Sequence, residues 1–285
     1  MENPRLSKKE KKLLKYQKSK ELKQNQKKKN NKAKKEKRAE MLASMADEQR
    51  AEFIANEKSS NQILEAEWLR VINEGTPLIF DLSFCSLMNE LEINSLITQI
   101  AHSIGFLRKN EKQFFKLICC SVSGEVKEKL EKRSGKNWNL QLREEDIDAL
   151  PELSGKQIIM MSPDAPDPLI DVDLENSVYV IGGLVDRTRK NSITLNKAVQ
   201  KNFRAYRLPI QEEITQKIRV VLNINTVVEI LHKKASGMPW KEALNSSIPQ
   251  RLFRQVEESN KKSQQNQILT PKKIDKSPKI EEAKN

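Results

Sequence analysis

Continuous apolar runs, rather than alternating ones, mark the strands in the middle of this 285-residue chain. Runs of this kind are typical of strands that are buried on both faces of a sheet. They predict five strands, over residues 78–82, 114–122, 156–161, 178–181 and 203–208.

Between these runs the apolar residues recur every three or four positions, which is the period of a helix. They predict helices over 87–106, 125–133, 192–201, 218–234 and 240–244, with Val221 and Leu222 on the inner side of the fourth. Residues 39–73 show an interrupted amphipathic helical pattern. The alternation of strands and helices predicts an α/β fold, with a mostly parallel sheet flanked by helices.

Shifts in composition divide the chain into four segments. Residues 1–40 form a basic arm that we expect to be disordered or helical, and residues 41–75 a helical linker. The folded domain is expected over 76–252, because Gly75-Thr76-Pro77 interrupts the helical pattern before it. The polar residues 253–285 are expected to form a flexible tail.

The net charge of +13 lies entirely in the arm. Residues 1–38 contain 17 basic and 4 acidic side chains, so the rest of the chain carries no net charge. Such a segment buries too little apolar surface to fold alone. The expected partner is a polyanion such as RNA, because each neutralised phosphate releases a counterion. A nuclear-import signal around 27–38, or a solubility tail, is an alternative explanation of the same charge.

Cysteine and histidine positions argue against a disulfide framework and a metal site. Cys85, Cys119 and Cys120 form no CxxC or Cys/His set, and we expect His102 and His232 to be structural or surface residues. The sequence contains no run of about 18 apolar residues, so it predicts no membrane span. The first residues lack the apolar core of a signal peptide, and the basic run contains glutamates that mitochondrial presequences avoid. We therefore expect a protein of the nucleus or cytoplasm.

Ligands of open α/β sheets bind beyond the carboxyl ends of the strands, here the loops after residues 161, 181 and 208. The second of these loops starts with Gly182-Gly183 and continues with one acid, Asp186, among three bases. Paired glycines allow a backbone to approach a ligand closely, and they also occur in ordinary tight turns. The segment is neither a GxGxxG nor a Walker motif, so it indicates no dinucleotide or ATP site.

Several segments resemble one family. VYVIGGLVDRTRKNSITLNKA, YRLPIQEEI, VVLNINTVVEIL and WKEAL are similar to the tRNA N1-methyltransferases that act on the purine at the ninth nucleotide, which belong to the SPOUT class. IFDLSFCSLMNELEINSLITQI and SGEVKEKLEK resemble the first half of that family, so the similarity covers roughly residues 77–250. The GG-L-V-D and RLP-I segments are specific at this spacing.

The resemblance implies a SPOUT-type parallel sheet whose C-terminal part forms a deep trefoil knot, an exception to the rule against knots. It implies S-adenosylmethionine as the cofactor, tRNA as the partner, and a monomer, with the need for a partner protein left open. It places the catalytic acid at Asp186, and Leu208 and Leu222 as apolar walls for the adenine ring. The cofactor-binding residues that it implies are Met161, Gly183, Arg187, Thr188, Arg189, Lys190, Asn191, Leu195, Leu208, Val220, Val221 and Leu222.

Two positions depart from the family pattern, in which Asn usually stands at Thr188 and Asp often stands at Gln211. These differences bear on the substrate more than on the fold. Methylation of guanine at N1 requires loss of the N1 proton, and a carboxylate at N1 can accept that proton or hold the base. We assign Asp186 a role in orienting the base and assisting deprotonation. Adenine need lose no proton before attack, so the target purine stays open.

The sequence therefore predicts an S-adenosylmethionine-dependent tRNA methyltransferase that modifies N1 of purine 9, with guanine as the first choice. We expect Arg187, Arg189 and Lys190 to contact tRNA phosphates near the site, while the arm adds affinity. The alternative is a non-catalytic RNA-binding or RNA-assembly protein that retains the fold.

Overall fold

The computed structural model describes residues 8–134, 138–185, 192–214, 221–250 and 252–253. The chain divides into two compact units, Met1–Ile63 and Leu64–Asn285.

The first unit is helical in its described part. Helix α1 spans Lys8–Ala43, and helix α2 spans Asp47–Glu74, so that α2 begins in the first unit and continues into the second. From Leu14 to Met41 every described side chain of α1 is exposed, because this Lys-rich helix has no apolar stripe to bury. The interruption predicted within residues 39–73 lies at residues 44–46, and α2 itself is continuous.

The turn between α1 and α2 is held by two arginines. The guanidinium of Arg50 donates hydrogen bonds to the carbonyl oxygens of Leu42 at 2.7 Å and Met45 at 3.1 Å, which are free at the end of a helix. Arg38 on α1 forms a bidentate ion pair with Glu57 on α2. These contacts fix how α1 and the first part of α2 meet.

Within the described residues, six parallel strands form one sheet in the second unit. The strands are β1 (Thr76–Asp81), β2 (Phe115–Cys120), β3 (Gln141–Leu142), β4 (Gln157–Met161), β5 (Ser177–Gly182) and β6 (Arg204–Tyr206). Their order across the sheet is β3-β2-β1-β5-β4-β6, and every pairing is parallel. The predicted α/β fold with a parallel sheet is thus confirmed. The sequence did not indicate β3, because two half-buried residues form no apolar run.

Helices cover both faces of this sheet. They are α3 (Glu90–Leu107), α4 (Gly124–Ser134), α5 (Ile193–Gln200), α6 (Ile210–Glu213), α7 (Ile224–Ala235) and α8 (Trp240–Ser247), together with short 3₁₀ turns at Leu82–Leu87, Ile147–Ala149 and Pro151–Leu153. None of the helices in the described part of the chain is both long enough and apolar enough to cross a membrane.

Successive strand residues bury into two different cores. Phe80 on β1 and Tyr179 on β5 belong to the larger cluster, which includes α3 and α7. Their neighbours Ile79 and Val180 belong to the smaller cluster, which includes Ala198 of α5. Because side chains alternate across a strand, burial of both sets requires an apolar residue at almost every position. This is why the strands read as continuous apolar runs.

The predicted start of the helix at residue 218 is wrong, since α7 begins at Ile224. Asn223 keeps an extended backbone, and its carbonyl oxygen accepts hydrogen bonds from the amides of Thr226 and Val227, which starts the helix there. Val221 is 72% exposed, so its predicted place on the inner side is also wrong. The last predicted strand is shorter as well, because Arg207 makes only an isolated bridge with Pro168.

His232 on α7 is a buried structural residue. Its Nε2 atom lies 3.1 Å from the carbonyl oxygen of Lys112. The rings of Phe106 and Phe114 lie 5.4 Å and 5.3 Å from the imidazole. Burial lowers the pKa of His232, and the bond to Lys112 opposes this only in part. The neutral ring is therefore the form that the folded protein prefers.

We expect acidification to destabilise the fold through His232. Because the pKa of His232 is lowered in the folded state, the unfolded chain takes up the proton first as the pH falls below about 6.5, and stability declines from there. His232→Gln, which keeps a donor for the Lys112 carbonyl, should show a weaker decline between pH 7.5 and 5.5 in urea titrations. The difference is at most about 1.4 kcal/mol per pH unit.

The matched control is His102→Gln, because His102 is exposed on α3. A change in the pH profile that this control shares would reflect the loss of an imidazole in general and not the burial of His232. Identical profiles for wild type and His232→Gln would contradict the assignment.

Candidate functional site

The carboxyl ends of three strands meet at one edge of the sheet. Met161, the last residue of β4, pairs with Ile181 on one side and with Tyr206 on the other. The amide of the next residue, Ser162, donates to the carbonyl oxygen of Tyr206 at 3.0 Å. The loops after β4, β5 and β6 therefore start side by side, at the edge where open α/β sheets bind their ligands.

Three of the described residues predicted to bind the cofactor lie directly at this edge, because Met161 ends β4, Gly183 follows β5 and Leu208 follows β6. Met161 is buried in the larger core, and Leu208 and Leu222 are half-buried and pack against that core. Gly183 is buried just after β5, and Leu195 is half-buried on α5. Val221 differs, since its side chain is exposed. Half-buried leucines on two different loops provide apolar surface that remains accessible to a ligand.

The remaining predicted residues, Asp186, Arg187, Thr188, Arg189, Lys190, Asn191 and Val220, lie outside the described residues. The residues that border 186–191 are held by defined contacts. The amide of Val185 lies 3.2 Å from the sulfur of Met88. The amide of Ser192 donates to a carboxylate oxygen of Asp164 at 2.9 Å, which ties the start of α5 to the loop after β4.

The paired glycines are explained by close packing. A Cβ atom on Gly183 would lie 2.7 Å from the carbonyl oxygen of Asp81 and 2.6 Å from Cδ2 of Leu82. A Cβ atom on Gly182 would lie 2.9 Å from Oγ1 of Thr194 on α5. Neither glycine has a positive φ. The absence of side chains therefore lets β5 end directly against β1 and α5.

An ionic cluster lies at the same edge, on the face covered by α5. Asp81, the last residue of β1, is 0% exposed, and its carboxylate forms an ion pair with the Lys197 ammonium at 2.9 Å. The same ammonium lies 2.7 Å from Asp146 and 3.0 Å from the Ser83 hydroxyl. Lys201 pairs with Asp146 at 3.1 Å. Lys197 on α5 contacts acids at the end of β1 and in the segment after β3. Lys201, at the C-terminal end of α5, contacts the same acid after β3.

The pKa values of this cluster follow from its pairing. Burial alone would lower the pKa of Lys197, but the hydrogen bond to Asp146 and the ion pair with Asp81 outweigh burial and raise it. Burial alone would raise the pKa of Asp146, but hydrogen bonds from Lys197, the Ile147 amide and Lys201 outweigh burial and lower it. Both groups are therefore charged at neutral pH. Burial and the nearby Asp81 raise the pKa of the Cys120 thiol to about 12, so that thiol is neutral.

Gln99 links α3 to the loop before α7. Its side-chain oxygen accepts a hydrogen bond of 2.9 Å from the amide of Ile224, in a buried environment. Its side-chain nitrogen donates to the Ser95 hydroxyl at 3.3 Å. Because Ile224 follows Leu222 by two residues, this bond fixes the end of the loop that carries one proposed apolar wall.

Asp81, Lys197 and Gln99 are not among the residues that the sequence predicted for the site. A usable signal existed for Asp81, because an acid that ends an apolar strand at the ligand edge of a sheet is unusual. Lys197 and Gln99 lie within helical patterns, where polar residues are common and do not by themselves indicate a buried contact. Within the described ranges, no three His, Cys, Asp or Glu side chains come together as metal ligands.

Gly183→Ala should destabilise the protein, because the added methyl group would press on the Asp81 carbonyl and on Leu82. Forcing a methyl group into such a contact costs about 1–3 kcal/mol of unfolding free energy. The matched control is Gly105→Ala on α3, where an added Cβ atom meets nothing within 4 Å. This control should stabilise the helix by about 0.5–1 kcal/mol. Chemical denaturation measures both, and an unchanged midpoint for Gly183→Ala would refute the packing explanation.

The chain matches known proteins along most of its length. A family model described as tRNA (guanine(9)-N(1))-methyltransferase TRM10/TRM10A matches residues 4–253. The tRNA (guanine(9)-N1)-methyltransferase of Kluyveromyces lactis is 28% identical over 179 residues, which cover 63% of this chain and 59% of that protein. The tRNA methyltransferase 10 homolog B of Rattus norvegicus is 30% identical over 221 residues, which cover 74% of this chain and 67% of that protein. The chain thus spans less than two thirds of the Kluyveromyces relative.

Two crystal structures share its fold. Full-length spTrm10 in complex with SAH is 25% identical, with a TM-score of 0.53 over 61% of this chain and 97% of that one. The structure of spTrm10(74) is 26% identical, with a TM-score of 0.55 over 61% of this chain and 96% of that one. Because the family model covers more than half of the sequence, this chain belongs to the tRNA (guanine(9)-N(1))-methyltransferase TRM10/TRM10A family.

Proposed function

We propose that this chain transfers a methyl group from S-adenosylmethionine to N1 of the purine at the ninth nucleotide of tRNA, with guanine as the first choice. The observation that carries the proposal is the meeting of three loops at the carboxyl edge of β4, β5 and β6, in a chain of this family. Support for the cofactor comes from spTrm10, whose complex contains SAH. SAH is what S-adenosylmethionine becomes when its methyl group has been transferred.

The described residues fit that cofactor. Leu208 and Leu222 offer half-buried apolar surface of the kind that an adenine ring needs. Gly183 brings a backbone without a side chain to the same edge. Backbone groups of the loops would bind the remaining polar atoms, together with residues 187–191 and Val220. When bound, S-adenosylmethionine supplies an electrophilic methyl group.

Asp186 is the proposed catalytic residue. Guanine N1 must lose its proton around the time that it attacks the methyl carbon, and a carboxylate at N1 can hold the base and receive the proton. Val185, the residue before it, is half-buried and packs against the larger core at the same edge. Arg187, Arg189 and Lys190 follow in sequence and are proposed to bind nearby tRNA phosphates.

Several other sequence predictions stay proposals. These are the trefoil knot in the C-terminal part of the sheet, the segment boundaries at residues 40, 75 and 252, the monomeric state, and a location in the nucleus or cytoplasm. Parallel pairing of β4, β5 and β6, with loops that start at one edge, is compatible with the knot.

Mapping of the modified nucleoside tests the proposed function. The full chain is incubated with S-adenosylmethionine and tRNA transcripts carrying G, A or C at position 9, and mass spectrometry then locates the methyl group. We expect N1-methylguanosine at position 9 of the G transcript and none with C. Product from the A transcript would extend the substrate to adenine. Binding of tRNA without any transfer would instead favour a non-catalytic RNA-binding protein.

Asp186→Asn should lower the single-turnover rate of transfer by about 100-fold, the low end of what a positioned proton-transfer group contributes. It should leave tRNA affinity nearly unchanged, because the amide keeps the size of the carboxylate. Glu128→Gln, which neutralises a surface carboxylate on α4, serves as the matched control and should keep the wild-type rate. A wild-type rate for Asp186→Asn at saturating cofactor would exclude the assigned role.

Deletion of residues 1–38 should weaken tRNA binding and flatten its dependence on salt, because the segment holds the whole net charge of +13. Each lost phosphate contact lowers the slope of log K against log salt by somewhat less than one. Affinity for S-adenosylmethionine should not change. A second variant, with the lysines at 27–29 and 32–37 changed to Gln, keeps the length and helix propensity of α1. It should shift the slope in the same direction, and an unchanged slope in both variants would rule out phosphate contacts by the arm.

A further inference from the structure

Asp81 contacts the chain on both sides of the segment 186–191. Its carbonyl oxygen accepts a hydrogen bond of 2.8 Å from the amide of Gly183, before that segment. Its carboxylate forms the ion pair of 2.9 Å with Lys197, after that segment. One fully buried residue at the end of β1 therefore holds the chain at both ends of the loop between β5 and α5.

Lys197 is the described residue that neutralises the Asp81 carboxylate. A charge taken out of water is costly unless an opposite charge and hydrogen bonds compensate it. The Lys197 side chain is itself only 13% exposed, and its ammonium also contacts Asp146, Ser83 and, at 5.6 Å from the ring centre, Phe84. These partners surround the ammonium on several sides, so it has little freedom to move.

The position of α5 follows from this ion pair. Lys197 lies on the second turn of an eight-residue helix that begins directly after Ser192. On the first turn, Thr194 packs against Gly182, where no Cβ atom would fit without displacing it. With Gly183 bonded to Asp81, the two ends of the loop are thereby set at a defined separation.

We infer that Lys197 is a positioning residue for methyl transfer: by pairing with Asp81 it holds α5 against the end of β1 and so fixes Ser192, the described residue that follows the segment with Asp186. The inference rests on the proposed function. Reaction rates depend steeply on such geometry, because a misplacement of about 1 Å can lower a rate about 100-fold. Lys197 itself need not contact the substrate.

The test compares Lys197→Met with Lys201→Met in the full chain. Lys201 belongs to the same end of α5 and pairs with the same Asp146, and also with Asp148, but its ion pairs do not include Asp81. Methionine keeps much of the lysine stem and removes the charge. For each variant we measure thermal unfolding, SAH affinity by calorimetry, kcat and KM for tRNA, and amide hydrogen exchange, all at a temperature where the variant is fully folded.

We expect Lys197→Met to lower kcat by about 10- to 100-fold, with KM for tRNA changed by less than about threefold. Affinity for SAH should fall about tenfold, because Gly183 and Leu195 adjoin the loop. Amide exchange should accelerate in α5 and over residues 182–185, and stay slow in β1 and β2. Lys201→Met should keep kcat and SAH affinity within about twofold of wild type. Lys197→Arg, which retains the charge, should recover part of the lost rate and guards against a failure of Lys197→Met to fold.

Three results would overturn the inference. In the first, Lys197→Met unfolds at a lower temperature but keeps wild-type kcat and SAH affinity while folded, so that its role is only structural. In the second, Lys201→Met loses as much activity as Lys197→Met. In the third, exchange accelerates throughout the sheet rather than around the loop. A wild-type protein that binds SAH but methylates no tRNA would overturn the proposed function and, with it, a role of Lys197 in methyl transfer. SAH affinity and local exchange would then still decide separately whether Lys197 holds α5 and the end of β5 in place.

Discussion

The buried carboxylate of Asp81 is the constraint on which the carboxyl edge of the sheet depends. Asp81 is the last residue of β1, one of the two central strands, and its carboxylate lies on the face that α5 covers. A buried charge has to be matched, and here the match comes from Lys197, 116 residues further along the chain. The position of α5 is therefore set by this ion pair as well as by the packing of Ala198 in the smaller core. The carbonyl oxygen of Asp81 also accepts a hydrogen bond from the Gly183 amide. The end of β5 and helix α5 are therefore both bonded to one residue.

The two-sided burial of the sheet leaves the ends of the strands as the place for the proposed function. Helices and 3₁₀ turns cover both faces, and alternate strand residues fill the two cores. At the carboxyl ends, Met161, Gly182 and Tyr206 end neighbouring strands. Gly183 brings backbone without a side chain to this edge, and the half-buried Leu208 follows the end of β6. That combination suits a ligand with one flat apolar ring and several polar atoms.

The net positive charge and the proposed site of methyl transfer lie in different parts of the chain. The first unit contains the long basic helix α1, which has no apolar stripe, while the rest of the chain is neutral overall. An electrostatic attraction to phosphates acts without regard to base sequence, whereas selection of one purine requires contacts at the base itself. Under the proposed function, affinity for RNA and the choice of the methylated base therefore depend on different residues.

The sequence by itself determined the element types and the class of fold, and it predicted the loops that follow β4, β5 and β6 as the place for a ligand. Continuous apolar runs identify buried strands, and a glycine pair at a strand end marks a close approach, because both features are local. The GG-L-V-D and RLP-I segments carried the family resemblance, which the match over residues 4–253 confirms. The sequence did not give the true start of α7. Val221 and Leu222, which precede the helix, have the same spacing as its apolar residues, so the pattern starts earlier than the helix itself.

Only the tertiary structure decided the order of the strands, the reason for the glycines and the partners of the buried polar groups. The pairing of Asp81 with Lys197 and the bond from Ile224 to Gln99 join residues more than 100 positions apart. Such contacts leave no periodic trace in a single sequence, since any buried acid is compatible with many lysines. The fold selects the partners, because it removes these groups from water and brings only a few complementary groups within reach of each.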